Sequence, residues 1–240
     1  MLKNHYRAIM FDLDGTLLPM DMEEFTSGYF KELYKKVNMT DIPIQSFVDA
    51  IWKGTYSMMK NDGTKINRDA FWDTFGTVID CDTDEMDKRC LDFYSNEFIN
   101  SKCFTQDNAY AVKAVKTARQ KADLVILATN PIFPMAGQIT RLGWIDLKKE
   151  DFDLVTCYEE ESFCKPNPKY FEAVLKKMGL TPKECLMIGN DEKEDMLCAK
   201  MARIDAYLVE DTMIKCKDHP WDGERGSFAD MIKMLEGLDR

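Results

Sequence analysis

The sequence predicts an α/β protein in which a doubly wound parallel sheet is interrupted by an inserted helical bundle. Three observations predict it. Short continuous apolar runs alternate with amphipathic segments from Asn108 onward, one further apolar run stands alone near the N-terminus, and the stretch between them carries only helical spacing. Continuous apolar runs are the mark of strands covered on both faces, and parallel strands need helical crossovers to join them.

The first run, YRAIMF, ends in FDLDGTLLP, residues Phe11 to Pro19. From about Met20 to Ile99 the apolar residues recur with helical period. Phe25, Tyr29, Leu33 and Val37 mark one segment, and Ile44, Phe47, Val48, Ile51, Trp52 and Tyr56 a second. Phe71, Trp72, Phe75, Val78 and Ile79 mark a third, and Met86, Cys90, Leu91, Tyr94 and Phe98 a fourth. Turn material at Thr40 to Pro43, Asn61 to Thr64 and Asp80 to Thr83 separates them, which suits short antiparallel helices. The aromatic stripes read as bundle core rather than as a cofactor box.

Beyond Asn108 a helix over Ala109 to Lys121 leads into DLVILAT, and one over Phe133 to Leu142 into FDLVTC. A helix over Lys169 to Met178 leads into ECLMIG, one through Met196 to Met201 into IDAYLV, and Phe228 to Leu238 closes the chain. The expected division is an α/β part over 1–18 and 105–240, with the bundle over 19–104.

Charge and composition narrow the function. A formal charge of −10 argues against the clustered cationic surface that nucleic acids and anionic membranes require. A small phosphorylated molecule remains open, because a few local cations or a metal can reverse the field inside one pocket. No apolar run reaches membrane-spanning length and none near the N-terminus suits a signal peptide, so a cytoplasmic location is expected. The eight cysteines include no CxxC pair and are expected to be reduced, packed thiols. With only His5 and His219, a histidine metal site or a Ser-His triad lacks material, and catalysis must rest on carboxylates, hydroxyls and amines.

In an open α/β sheet, ligands bind beyond the carboxyl ends of the strands. The polar residues after successive runs are Asp12 and Asp14, then Thr129 and Asn130, then Lys165, then Asp191 and Asp195. Four carboxylates in one crevice call for a divalent cation, and oxygen ligands without His or Cys favour Mg²⁺. Each piece also has a plain structural reading. The DxD pair can cap a turn, Thr129 and Asn130 before Pro131 can be a strand exit, Lys165 can be a surface lysine, and GNDEKED can be a solvated run at a helix start. What favours chemistry is the right residue type at every successive strand end.

FDLDGTLL, with LATN, CKPNPKYF and IGNDEKED, resembles the four motifs of the haloacid dehalogenase superfamily in its Mg²⁺-dependent phosphatase branch, and the inserted bundle resembles that superfamily's helical cap. The resemblance implies that Asp12 is the nucleophile forming an aspartyl phosphate and Asp14 the general acid and base. It implies that Thr129, aided by a backbone amide near Asn130, and Lys165 hold the transferring phosphoryl group. Asp12, the main-chain carbonyl of Asp14 and Asp191 are implied as the Mg²⁺ site, with Asp195 as ligand or support; relative to the commonest fourth motif this chain carries Asn190 between Gly189 and Asp191. The expected activity is hydrolysis of a small phosphorylated metabolite, with a phosphomutase or a non-catalytic phosphometabolite-binding protein as alternatives. Asp14 argues against attack on a halogenated carbon, which has no leaving alcohol to protonate.

Overall fold

The apolar runs become strands because side chains alternate between two buried faces. A computed structural model describes residues 2–37 and 42–240. Its strands are β1 (Ala8–Phe11), β2 (Leu124–Leu127), β3 (Leu154–Val155), β4 (Cys185–Gly189), β5 (Asp205–Val209) and β6 (Arg225–Gly226). They form one parallel sheet in the order β3-β2-β1-β4-β5-β6. The helices are α1 (Met22–Val37), α2 (Ile44–Met59), α3 (Asn67–Val78), α4 (Thr83–Ser95), α5 (Ala111–Lys121), α6 (Met135–Trp144), α7 (Lys169–Met178), α8 (Cys198–Met201) and α9 (Phe228–Glu236).

The central strands divide their side chains strictly. Ile9, Phe11, Val125, Leu127, Leu186 and Ile188 enter one core with Ala114 and Ala118 of α5, Leu142 of α6 and Leu235 of α9. Ala8, Met10, Ile126, Cys185 and Met187 enter the other with Phe171 and Val174 of α7 and Ala199 of α8. The strand order reverses at β1, whose neighbours are β2 and β4, so the crevice lies beyond the ends of these three strands.

The strand β6 was not expected, because Arg225 and Gly226 carry no apolar run; pairing with Leu208 and Val209 creates it. The helix expected from Met196 begins earlier, as a π-helical turn over Glu192–Leu197 that continues into α8. The turn expected at Thr40 to Pro43 lies partly outside the described residues.

The chain leaves the sheet after Pro19 and returns beside the same point. Met20 and Thr105 form an antiparallel bridge, and the Gln106 amide donates to Pro19 O at 2.8 Å. Between these crossings lie α1 to α4. Phe25, Tyr29, Phe47 and Phe75 fill the bundle as expected, whereas Trp52 and Tyr56, expected in the same stripes, are exposed; the bundle, with Phe98 just after α4, also grips the segment after β2. Tyr29 meets Phe133 with ring centroids 5.8 Å apart, and Phe98 meets Trp144 at 5.0 Å. The bundle therefore shares a continuous apolar core with the sheet.

A polar junction holds its other side. Asn67 and Arg68, opening α3, donate their amides to Glu161 O and Tyr158 O at 2.7 and 2.9 Å. Buried Asp87 of α4 accepts from Arg68 Nη2 at 2.5 Å, from Trp72 Nε1 at 2.8 Å and from Tyr158 Oη at 2.8 Å. Those contacts end on the loop that carries Lys165.

Candidate active site

β1 delivers Asp12 directly into the crevice, where its amide donates to Ile188 O at 2.9 Å. The chain then turns at Gly15, whose φ of +84° favours glycine. A methyl group there would also overlap the Asn190 side chain. Thr16 Oγ1 sits 3.2 Å from Asn190 Oδ1 and 3.4 Å from Asp12 Oδ2, tying the end of β1 to the end of β4.

Lys165 is fully buried, not a surface lysine. Its Nζ donates to Asp12 Oδ1 at 2.7 Å and to Asp195 Oδ1 at 2.5 Å. Burial pulls its pKa down, but Asp12 and Asp195 outweigh that and hold the ammonium well above the usual lysine range. Asn130 holds the backbone that presents this lysine: its Oδ1 accepts from Lys165 N at 3.2 Å and its Nδ2 donates to Lys165 O at 3.3 Å. The Asn130 side chain thus serves Lys165. Thr129 is buried beside it, its carbonyl fixed by Thr156 Oγ1 at 2.7 Å and Tyr170 Oη at 3.0 Å.

The carboxylates after β4 separate by direction. Asp191 Oδ1 caps the π-helical turn, accepting from Lys193 N and Glu194 N at 2.7 and 2.8 Å. Glu192 turns away and accepts from Cys216 N and Trp221 N at 2.7 and 3.0 Å. Glu194 turns inward, where Asn130 Nδ2 donates to it at 2.8 Å. Asp195 has one oxygen on Lys165, and its Oδ2 accepts the amides of Asn190 and Asp191, both at 3.0 Å. Protein donors thus engage both oxygens of Asp195, the arrangement of the supporting one of the two places expected of it. Gly189 permits the approach, since a methyl group there would overlap the Asp195 carboxyl.

Asp14 points toward α6. There fully buried Arg141 donates from Nη1 to Asp14 Oδ1 at 2.7 Å and Oδ2 at 2.6 Å. Sequence reasoning missed this residue, along with Thr16 and Asn190. The signal for Arg141 was available: Gln138, Arg141 and Leu142 fall at helical spacing on the buried face of α6, where two polar residues demand partners.

Negative charge dominates the crevice. Burial pushes the Asp12 carboxyl up, with Asp195 and Asp14 adding to the effect and Lys165 opposing it. Burial likewise raises Glu194 to about 7, Lys165 opposing and Asp191 and Asp195 reinforcing. Asp191 is raised by burial, against the pull of the Glu194 amide. Such a site favours a bound cation.

Comparison with known proteins places the chain in a family. Residues 6–203 match the haloacid dehalogenase-like hydrolases as a family. The chain belongs to that family. Among curated relatives, glyceraldehyde 3-phosphate phosphatase of Methanothermobacter thermautotrophicus is 39% identical over 69 residues, 28% of this chain and 30% of that protein's own length. Pyrophosphatase PpaX of Bacillus cereus is 22% identical over 240 residues, covering 97% of this chain and 98% of its own. Of solved structures, a HAD phosphatase from Thermococcus onnurineus aligns with a TM-score of 0.60 at 19% identity, covering 98% of this chain and all of the other. The HAD family enzyme bt-2542 of Bacteroides thetaiotaomicron, in complex with magnesium and inorganic phosphate, aligns at 0.52 with 20% identity, covering 89% and 98%. At these identities the structures establish the fold of this haloacid dehalogenase-like hydrolase. Among its described residues no helix is long and apolar enough to cross a membrane.

The donor set fits the Mg²⁺ that the family implies. Every candidate ligand, on Asp12, Asp14 and Asp191, is an oxygen. Among the described residues, no three His, Cys, Asp or Glu side chains form a ready cage.

Proposed function

We propose that this protein is a Mg²⁺-dependent phosphomonoesterase acting on a small phosphorylated metabolite through an aspartyl phosphate on Asp12. One observation carries the reading: Asp12 lies at the sheet's switch point with buried Lys165 at 2.7 Å, while Asp14 and Thr129 close the ends of the same two neighbouring strands. Lys165 offsets charge on the nucleophile and on the transferring group. The Thr129 hydroxyl and a main-chain amide near Asn130 hold phosphoryl oxygens. An oxygen of Asp12 attacks phosphorus while the leaving oxygen takes a proton from Asp14. Asp14 then takes a proton from the water that attacks the aspartyl phosphate, and Asp12 is released.

Asp12, Asp191 and the main-chain carbonyl of Asp14 would hold Mg²⁺, which when bound neutralises carboxylate and phosphoryl charge. Asp195 would position Lys165. The helical block over 19–104 would act as a lid that excludes water and selects the leaving group, which limits substrates to small molecules. The names of the relatives, a glyceraldehyde 3-phosphate phosphatase and pyrophosphatases, support phosphate ester or anhydride chemistry without fixing the substrate.

The test is a panel of phosphorylated metabolites assayed with Mg²⁺, with EDTA and with Asp12→Asn. Orthophosphate release should require both the metal and Asp12. Full turnover by Asp12→Asn would eliminate the covalent route. An isomerised product without phosphate would point to a phosphomutase, and binding without turnover to a non-catalytic role.

A further inference from the structure

Arg141 is an expensive residue to bury. Well-packed apolar side chains at such positions are often as good or better for stability, so packing alone does not account for a guanidinium on the inner face of α6. Its two terminal nitrogens have partners, whereas its buried Nε has none. The guanidinium carbon lies 3.9 Å over the Phe133 ring, and Nη2 donates to Gln138 Oε1 at 2.5 Å. Gln138 Nε2 in turn donates to Thr156 O at 3.1 Å, and the Thr156 hydroxyl donates to Thr129 O at 2.7 Å. A continuous polar chain therefore runs from Asp14 through Arg141, Gln138 and Thr156 to the strand end that carries Thr129.

We infer that Arg141 is a positioning residue for Asp14, holding the carboxyl that gives and takes the proton in fixed register with the phosphoryl-binding turn. The inference rests on the phosphatase reading above. Asp14 is partly open to solvent, with a side-chain exposure of 19%, whereas Arg141 is at 0%. Without Arg141 the Asp14 side chain would sample other rotamers. Because Nη1 reaches both carboxylate oxygens, one can stay on Arg141 while the other carries the proton. Proton transfer needs heavy atoms within hydrogen-bond reach, and misplacement by about 1 Å can cost on the order of 10²-fold in rate.

In the first step the Asp12 oxygen bonds to phosphorus, the phosphorus–oxygen bond to the leaving group breaks, and the departing oxygen takes its proton from Asp14. A good leaving group needs that proton little. A poor one needs it greatly.

The experiment follows kcat/KM with Mg²⁺ across phenyl, 4-nitrophenyl and 2,4-dinitrophenyl phosphate, esters of similar size and rising leaving-group ability. Arg141→Met should lose about 10²-fold on phenyl phosphate and under about 5-fold on the dinitrophenyl ester. In an Asp14→Asn background the same substitution should add less than about 2-fold. If Arg141→Met does not fold, Gln138→Leu, which keeps the guanidinium but removes its anchor, should steepen the series by about 10-fold. Equal loss on all three esters, additivity with Asp14→Asn, or no loss at all would overturn the inference while leaving the phosphatase reading intact. A wild-type protein that hydrolyses no phosphate ester would instead remove that reading and this inference with it.

Discussion

Asp195 and Lys165 form a buried ion pair at 2.5 Å in which the carboxylate has no oxygen to spare, because its other oxygen takes two main-chain amides. Every partner of Asp195 is a donor. Asparagine at this position must therefore turn its own NH₂ toward either the Lys165 ammonium or the amides of Asn190 and Asp191. Breaking a buried pair in this way costs about 3–5 kcal/mol. Asp195→Asn should show that loss in the denaturant midpoint of the metal-free protein, together with a fall in kcat. An unchanged midpoint would mean that the pair does not hold the end of β4.

Glu194 should make stability depend on pH in an unusual direction. Its folded pKa, raised to about 7, lies above the ordinary glutamate value of about 4.3, so between these the folded state binds more protons than the unfolded state. Its contribution is fully present below the lower value, falls as pH rises through the window, and levels off above about 7. Thermal melts in EDTA should therefore place Glu194→Gln above the wild type at pH 8 and level with it at pH 4.5. Parallel curves across that range would refute the assignment.

Tyr158 should report on the junction between the helical block and the sheet. Its hydroxyl donates to Asp87 at 2.8 Å, and hydrogen bonds to charged groups contribute about 1.5–3 kcal/mol. Tyr158→Phe keeps the ring and removes only that donor. It should lower stability by an amount in that range and speed amide exchange at Asn67 and Arg68, whose amides bond to the same loop. Loss of stability without faster exchange there would place the effect elsewhere.

Much of this protein was legible in its sequence because the governing rules are local. The length and continuity of YRAIMF, DLVILAT and ECLMIG identify buried parallel strands, and their order puts Asp12, Thr129 and Asp191 at one end of the sheet. The family follows from the same residues. Partnership was beyond reach, since it depends on what approaches from distant elements. GNDEKED holds four carboxylates in near succession, and only the π-helical turn decides that Glu192 faces the 216–221 loop, Glu194 faces Asn130 and Asp195 faces Lys165. Most of the aromatic stripe of the bundle was legible as core, but neither the exposure of Trp52 and Tyr56 nor the union with Phe133 and Trp144 was. The spacing of Arg141 signals a buried position on α6, but only tertiary packing made it the partner of Asp14. Periodicity determines which face of an element is buried; the identity of a buried charge's partner is set only when the elements meet.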